Sequence, residues 1–235
     1  MEIKNIHIIM PVKDSIERAE EAIRAVLATG EELTVYNDYS TAENTVKLGT
    51  LAECLYFELI NLSDLTSHPS PNYRLVLQDA QQKALAEKAH LVIVESDVVV
   101  RQDTFQKLKE QAEDKVGMVA AVTVDEAGEI NYPYDYAHRL TTGGVHTTKK
   151  RFSFCCTLIT NALLQAYDFR GLDPTKNWYD VFITHQSTAL GFENRLMLNN
   201  TVLHRPHSSR PWKLLKYKNP ILYYWRKLTQ HKDRI

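Results

Sequence analysis

His90-Leu-Val-Ile-Val-Glu-Ser-Asp97-Val-Val-Val100 is the stretch that decides the fold. Leu91 to Val94 is a short apolar run rich in β-branched residues, the composition of a strand buried on both faces, as in a parallel sheet. The run meets Glu95-Ser96-Asp97, two carboxylates around one small residue. In open α/β sheets ligands bind beyond the carboxyl ends of the strands. A D-x-D-like pair at such a place can hold a hard divalent cation, which in turn grips phosphate oxygens. The plain alternative is a strand followed by a solvated acidic turn, and three residues alone do not separate the two.

Upstream, Ile6 to Val12 reads as a first strand carrying Met10-Pro11-Val12. Asp14-Ser-Ile-Glu17 has the form of a capping box, and Ile16, Ala19, Ile23, Val26 and Leu27 then recur at helical spacing up to Gly30. Leu33 to Tyr36 is a second strand, ending in Asn37-Asp38-Tyr39-Ser40-Thr41. Ser40 to Glu43 forms a second box, opening a helix expected to carry Val46, Leu51, Leu55 and Leu59. A loop with Pro69 and Pro71 leads to a third helix, expected over Leu75 to Ala89, and then to the opening stretch. Strand–helix–strand–helix–strand argues for βαβ units. The first βα turn has no G-x-G-x-x-G, and no P-loop motif occurs anywhere.

Downstream, the pattern predicts a helix over Thr104 to Glu113 and a strand over Val116 to Val124. Asn131 to Arg151 is a long segment rich in Tyr, His and Thr, the size of a functional lid or binding loop. A strand over Phe152 to Thr160, a short helix over Asn161 to Tyr167, the turn Gly171-Leu-Asp-Pro174, a helix over Trp178 to Leu190 and a strand over Leu196 to His204 follow.

At 235 residues, 44% hydrophobic and 24% charged, the composition is that of an ordinary globular chain. The formal net charge of -1 names no partner. Its distribution is uneven: Arg205 to Ile235 holds nine Lys/Arg against one acidic residue, Asp233. The three cysteines, Cys54, Cys155 and Cys156, form no C-x-x-C and fit a reducing cytoplasm. The amino terminus lacks the apolar core of a signal peptide, and no run reaches the ~18 apolar residues of a membrane span.

The ordered set of motifs resembles the family 2 glycosyltransferases of GT-A fold over roughly residues 6 to 208. Met10-Pro11-Val12 matches the end of that family's first strand, Asn37-Asp38-Tyr39-Ser40-Thr41 its D-D-x-S-T-like motif, and Glu95-Ser96-Asp97 its D-x-D. Gly171-Leu172-Asp173 matches the family's G-[FL]-D turn, Asp180 the acid of its E-D pair, Gly191 the glycine that follows, and His204 a histidine near the end of the catalytic core. The resemblance implies a single α/β domain with a central, mostly parallel sheet flanked by helices. Residues 1–204 would form the catalytic domain, with a nucleotide-binding half to about residue 100 and an acceptor half after it, and 205–235 a basic aromatic tail.

By the same resemblance, Pro11, Asn37, Asp38, Glu95 and Ser96 contact the nucleotide-diphosphate sugar donor. Asp38 with Asn37 meets the base, and Glu95 faces the ribose or the metal. Asp97 is the main ligand of a divalent cation, Mn²⁺ or Mg²⁺. His204 is a third ligand or a donor to the diphosphate, with His207 as its rival. Asp180 is the general base that deprotonates the acceptor hydroxyl as it attacks the anomeric carbon, with inversion. Four positions depart from the pattern: Glu95 for Asp, Asn37 for Asp, Tyr179 for the Glu before the catalytic acid, and Gln186 for Arg. A catalytically degenerate sugar-nucleotide-binding or scaffold protein therefore stays open, as does a nucleotidyltransferase. The tail interleaves cations with Trp212, Tyr217, Tyr223, Tyr224 and Trp225, which suits peripheral contact with an anionic membrane and a cell-envelope glycan or glycolipid acceptor. Packing of those rings on the domain is the alternative, Arg205 or Arg210 could close over the diphosphate, and no nucleic-acid motif is present.

Overall fold

The structure, a computed structural model, describes residues 5–140, 143–176, 178–205 and 219–229. The chain divides into two compact units, Met1–Arg205 and Pro206–Ile235. In the first, strands β1 (Ile6–Val12), β2 (Thr34–Asn37), β3 (Glu58–Asn61), β4 (His90–Val94), β5 (Val98–Val99), β6 (Val116–Val124), β7 (Val145–Thr147), β8 (Cys156–Ile159) and β9 (Glu193–His204) join one sheet. Helices α1 (Ile16–Ala28), α2 (Ala42–Leu55), α3 (Tyr73–Ala86), α4 (Thr104–Glu110), α5 (Asn161–Ala166) and α6 (Tyr179–Ala189) connect them.

The strand order is β3-β2-β1-β4-β8-β6-β9-β5, with β7 also on β9. β1 to β4 are mutually parallel. β8 opposes both β4 and β6, while β9 runs parallel to β6. Only β5, β7 and β8 oppose the common direction, so the sheet is mostly parallel, as expected.

Alternation along the strands explains the unbroken apolar runs. Ile8, Met10, Val92, Val94, Val119 and Ala121 face a core built with Ile16, Ile23 and Val26 of α1 and Phe105 of α4. Their neighbours Ile9, Leu91, Ile93, Met118 and Ala120 face a second core built with Val76, Leu77, Leu163 and Ile183. A strand covered on both faces has no polar side to show, and each fully buried Val, Leu or Ile side chain contributes about 1.5–3 kcal/mol. Packing against β6 is close: a Cβ on Gly117 would lie 2.1 Å from Ser187 Oγ and 2.8 Å from Phe192 Cβ.

Several local expectations are corrected. Asp14 does not cap α1, because both Asp14 and Ser15 lie at positive φ, 55° and 52°. Its Oδ1 instead accepts from Thr41 N and Asn44 Nδ2, 2.9 Å each, and so ties the β1–α1 turn to the start of α2. Thr41, not Ser40, caps α2. Tyr56, at φ 59°, ends that helix, so Leu59 belongs to β3. α3 begins at Tyr73 and stops at Ala86, three residues short of expectation. The segment 131–151 is no bare loop: it holds a short 3-10 turn, Ala137–Arg139, and the strand β7. Tyr132, 2% exposed, anchors it, with ring contacts to Tyr134 and Tyr136 and its hydroxyl accepting from Ser153 N at 2.9 Å.

In the second unit, α7 (Pro220–Thr229) exposes Ile221, Tyr224 and Trp225 at helical spacing. No helix among the described residues is long and apolar enough to cross a membrane. His207, Arg210, Trp212 and Tyr217 lie outside the described residues.

Candidate active site

The carboxyl end of β4 gathers residues from four separate stretches. After Val94 the chain turns at Glu95–Asp97, and Val98 N donates to Glu95 O at 3.0 Å. β5 then pairs antiparallel with the last residues of β9, Val98 opposite His204. That short pairing sets the His204 imidazole beside Asp97, Nε2 to Oδ2 3.6 Å, with both side chains about nine-tenths covered. Arg205 N donates to Asp97 O at 2.9 Å and locks the junction. On the other side β8 runs antiparallel to β4, Val94 opposite Cys156. Glu95 N consequently donates to Cys155 O at 2.9 Å, and the Cys155 thiol donates to Glu95 Oε2 at 3.4 Å.

Electrostatics bind the group together. Burial and then the charge of Asp97 push the Glu95 carboxyl above its ordinary range, with Asp180 adding to the push, while His204 and the Cys155 thiol oppose it. Burial and the Glu95 charge hold the Cys155 thiol well above its usual value. Tyr73 lies in the same field. Burial first, then Glu95 and Asp180, raise its phenol, and its hydroxyl is buried with no hydrogen bond among the described residues.

Asp180 stands in the first turn of α6. Its Oδ1 accepts from Val181 N at 2.9 Å, and its Oδ2 accepts from Tyr134 OH at 2.5 Å. Burial and Asp180 keep the Tyr134 phenol protonated, and the Arg151 guanidinium covers the ring at 4.8 Å. Tyr179, where the resemblance has an acid, is buried and stacks on Tyr73 at 6.4 Å. Gln186 is exposed on α6.

The nucleotide-end residues lie along β1 and β2, with Pro11 beside Tyr36 and Val12 beside Asn37. The Asn37 side chain is engaged on three sides: it donates to Thr45 Oγ1 and Asn61 Oδ1 and accepts from Ser40 N. Asp38 Oδ2 accepts from Ser70 Oγ (2.8 Å) and Asn72 N (3.0 Å), and Oδ1 accepts from Asn72 Nδ2 (2.9 Å), so this carboxylate holds the loop after β3. Ser96 is buried between the two acids of the turn. The structure thus brings Glu95, Ser96, Asp97 and His204 together at the carboxyl end of β4, with Asp180 close enough to act on Glu95, and sets Pro11, Asn37 and Asp38 at the ends of the neighbouring strands. Arg205 does not close over that group. It is paired with Glu21 and, at 3.0 Å, with Glu126.

Residue reading alone missed Cys155, Tyr73 and Tyr134. The β4/β8 register places the first, and aromatic packing places the others, with no local motif for either.

The donor set suits a divalent cation: the Glu95 carboxylate, the Cys155 thiol and the His204 imidazole, whose Nδ1 is buried without a hydrogen bond among the described residues. No family model and no curated protein matches the chain. Solved structures do. Residues 1–349 of S. aureus TarS match over 96% of this chain and 66% of that one, at 14% identity and TM-score 0.63. The same protein in complex with UDP matches at 12% identity and TM-score 0.64. GalNAc-T7 with UDP, GalNAc and Mn²⁺ matches over 85% of this chain and 43% of that one, at 11% identity and TM-score 0.59. The chain therefore spans just under two thirds of the TarS structure and less than half of GalNAc-T7. At such identities the likeness shows the fold alone, and that fold is the α/β architecture of the GT-A glycosyltransferases.

Proposed function

We infer that the chain is a glycosyltransferase of the family 2 kind, moving a sugar from a nucleotide-diphosphate donor to an acceptor hydroxyl with inversion. One observation carries this reading: Glu95, Asp97 and His204 converge at the carboxyl end of the central strand, with Asp180 near enough to push the Glu95 carboxyl upward. A binding turn and a separate carboxylate positioned on a helix are what a direct displacement needs. The neighbours with UDP, and with UDP, GalNAc and Mn²⁺, support a nucleotide donor and a divalent cation.

In this reading Pro11 and Asp38 border the base, and Asn37 holds the strand end that shapes that border. Glu95, Ser96, Asp97 and His204 meet the ribose and diphosphate. Asp97 and His204 would hold a divalent cation, which would supply positive charge to offset that of the departing diphosphate. Asp180 Oδ2 receives the acceptor proton. Tyr134 now donates to that oxygen, so the acceptor hydroxyl takes the place of the phenol. The basic, aromatic tail supports peripheral contact with an anionic membrane from the cytoplasmic side, and hence an envelope glycan or glycolipid acceptor. The buried Tyr179 in place of an acid favours a second reading, a sugar-nucleotide binder without turnover.

Calorimetry with UDP tests the site. Binding is expected with Mn²⁺ and lost with EDTA, and Asp97→Ala should remove the metal-dependent part while leaving the fold intact. Equal affinity with and without metal takes Asp97 out of this role. Metal-dependent binding with no donor hydrolysis or transfer favours the non-catalytic binder.

A further inference from the structure

Cys155 has no task in the transfer chemistry above, yet it stands among the groups that perform it. Its Sγ, an oxygen of Glu95 and a ring nitrogen of His204 all lie within 4.8 Å of one another. Three elements supply them: the end of β4, the approach to β8 and the end of β9. Ligands held at about 2.0–2.3 Å around a tetrahedral ion are roughly 3.3–3.8 Å apart. The Cys155–Glu95 edge, at 3.4 Å, already has that length. The imidazole Nδ1 is buried and has no hydrogen bond to give up among the described residues.

The chemistry of the set is distinctive. A turn holding carboxylates alone suits hard ions such as Mg²⁺. Sulfur adds nothing for those ions, whereas thiolate with imidazole and carboxylate favours a borderline ion such as Zn²⁺ or Co²⁺. Cys156, the next residue, is buried with Val94 and Leu158 and is not among the three grouped ligands.

We propose that Cys155 is a direct metal ligand, and that Glu95, Cys155 and His204 form an oxygen–sulfur–nitrogen site for a borderline divalent ion, Zn²⁺ before Mg²⁺. This deepens the transferase reading by naming the cation class of its site. On binding, the thiol proton leaves to water and one Sγ–metal bond forms, with no change of oxidation state.

The test uses the full chain, stripped with a chelator and titrated with Co²⁺. The thiolate-to-cobalt charge-transfer band should appear in the near ultraviolet, persist in Cys54→Ser and vanish in Cys155→Ser. Zn²⁺ should displace Co²⁺ where excess Mg²⁺ does not. Zn²⁺ affinity in Cys155→Ser should fall by more than the roughly 10–100-fold that loss of an outer-shell partner costs. Bound Co²⁺ without the band, or a band that survives Cys155→Ser, overturns the proposal. The first of these readings is made on the unaltered chain, so a poorly folding variant does not blunt it. UDP calorimetry on the same samples separates the two ideas. A band without UDP binding leaves the ligand set standing and removes the transferase. UDP binding supported by Mg²⁺ with no band does the reverse.

Discussion

Asp180 is held before any substrate arrives. One oxygen is fixed by the backbone of α6 and the other by Tyr134 at 2.5 Å, so the carboxylate cannot swing away from the cleft. Asp180→Asn keeps size and shape, and one oxygen that can still accept from Val181 N, but its amide nitrogen can accept neither the Tyr134 hydroxyl nor a proton. Loss of a positioned general base costs ~10²–10⁴-fold in rate. Transfer should fall by about that factor while UDP and metal affinity, which the proposed site assigns to residues of β4 and β9, should hardly change. Full transfer activity in the variant, measured on an acceptor or through donor hydrolysis, would remove Asp180 from the mechanism, with Asp173 or Asp168 next in line. At this scale the sequence was legible where the candidate residues sit in a short motif, as at Glu95–Asp97. It was silent where chemistry depends on a partner far away in the chain: Cys155 carries no signal of its own until β8 is laid against β4, and Tyr134 none until its segment packs on α6.

At the level of elements, the strands were readable because burial on both faces leaves a continuous apolar run, as in β4 and β6. β5 and β7, with two and three residues, are too short for any period to register. Helix starts were the weak point. Asp14–Glu17 satisfies the capping pattern, but the carboxylate is taken by Asn44 and Thr41 of another helix, a tertiary contact that overrides a local one. The Asn44 side chain and then the Thr41 amide hold the Asp14 carboxyl below its usual 3.8. A carboxyl depressed by folding contributes stability that is present above the unfolded value and lost as pH falls through the folded one. Asp14→Asn should therefore lower the melting temperature at pH 7, modestly because the group is largely solvated. The gap should close as the pH drops below 3.8. An unchanged gap at acid pH would mean that side-chain shape, not charge, ties the turn to α2.

For the whole molecule, the uneven charge is the dominant fact. Nine of the Lys/Arg lie in the last thirty-one residues, from Arg205 onward. Within α7, Ile221, Tyr224 and Trp225 share one exposed face. Each basic residue near an anionic bilayer is worth about 1 kcal/mol, so several act together measurably. Removal of Lys213 to Ile235 should weaken binding to phosphatidylserine-containing vesicles, and added salt should weaken the intact chain likewise. Indifference of the intact chain to such vesicles at low salt would make the tail structural, and unfolding on truncation would place its rings in a core.

The pairing of Val98 with His204 has a consequence in time as well as in space. The chain writes one half of its ligand set before the middle of the sheet and the other half at the far end of its last strand. Contacts between residues so distant along a polymer form late, because the intervening loop must first be closed at an entropic cost. A nascent chain can thus assemble β1 to β4 and their helices while the cleft still lacks its imidazole. His204 reaches Asp97 only when the intervening stretch of about 106 residues, roughly half of the first unit, is closed. The pairing of Val98 with His204 is in that sense a clasp, fastened only when the first unit has closed.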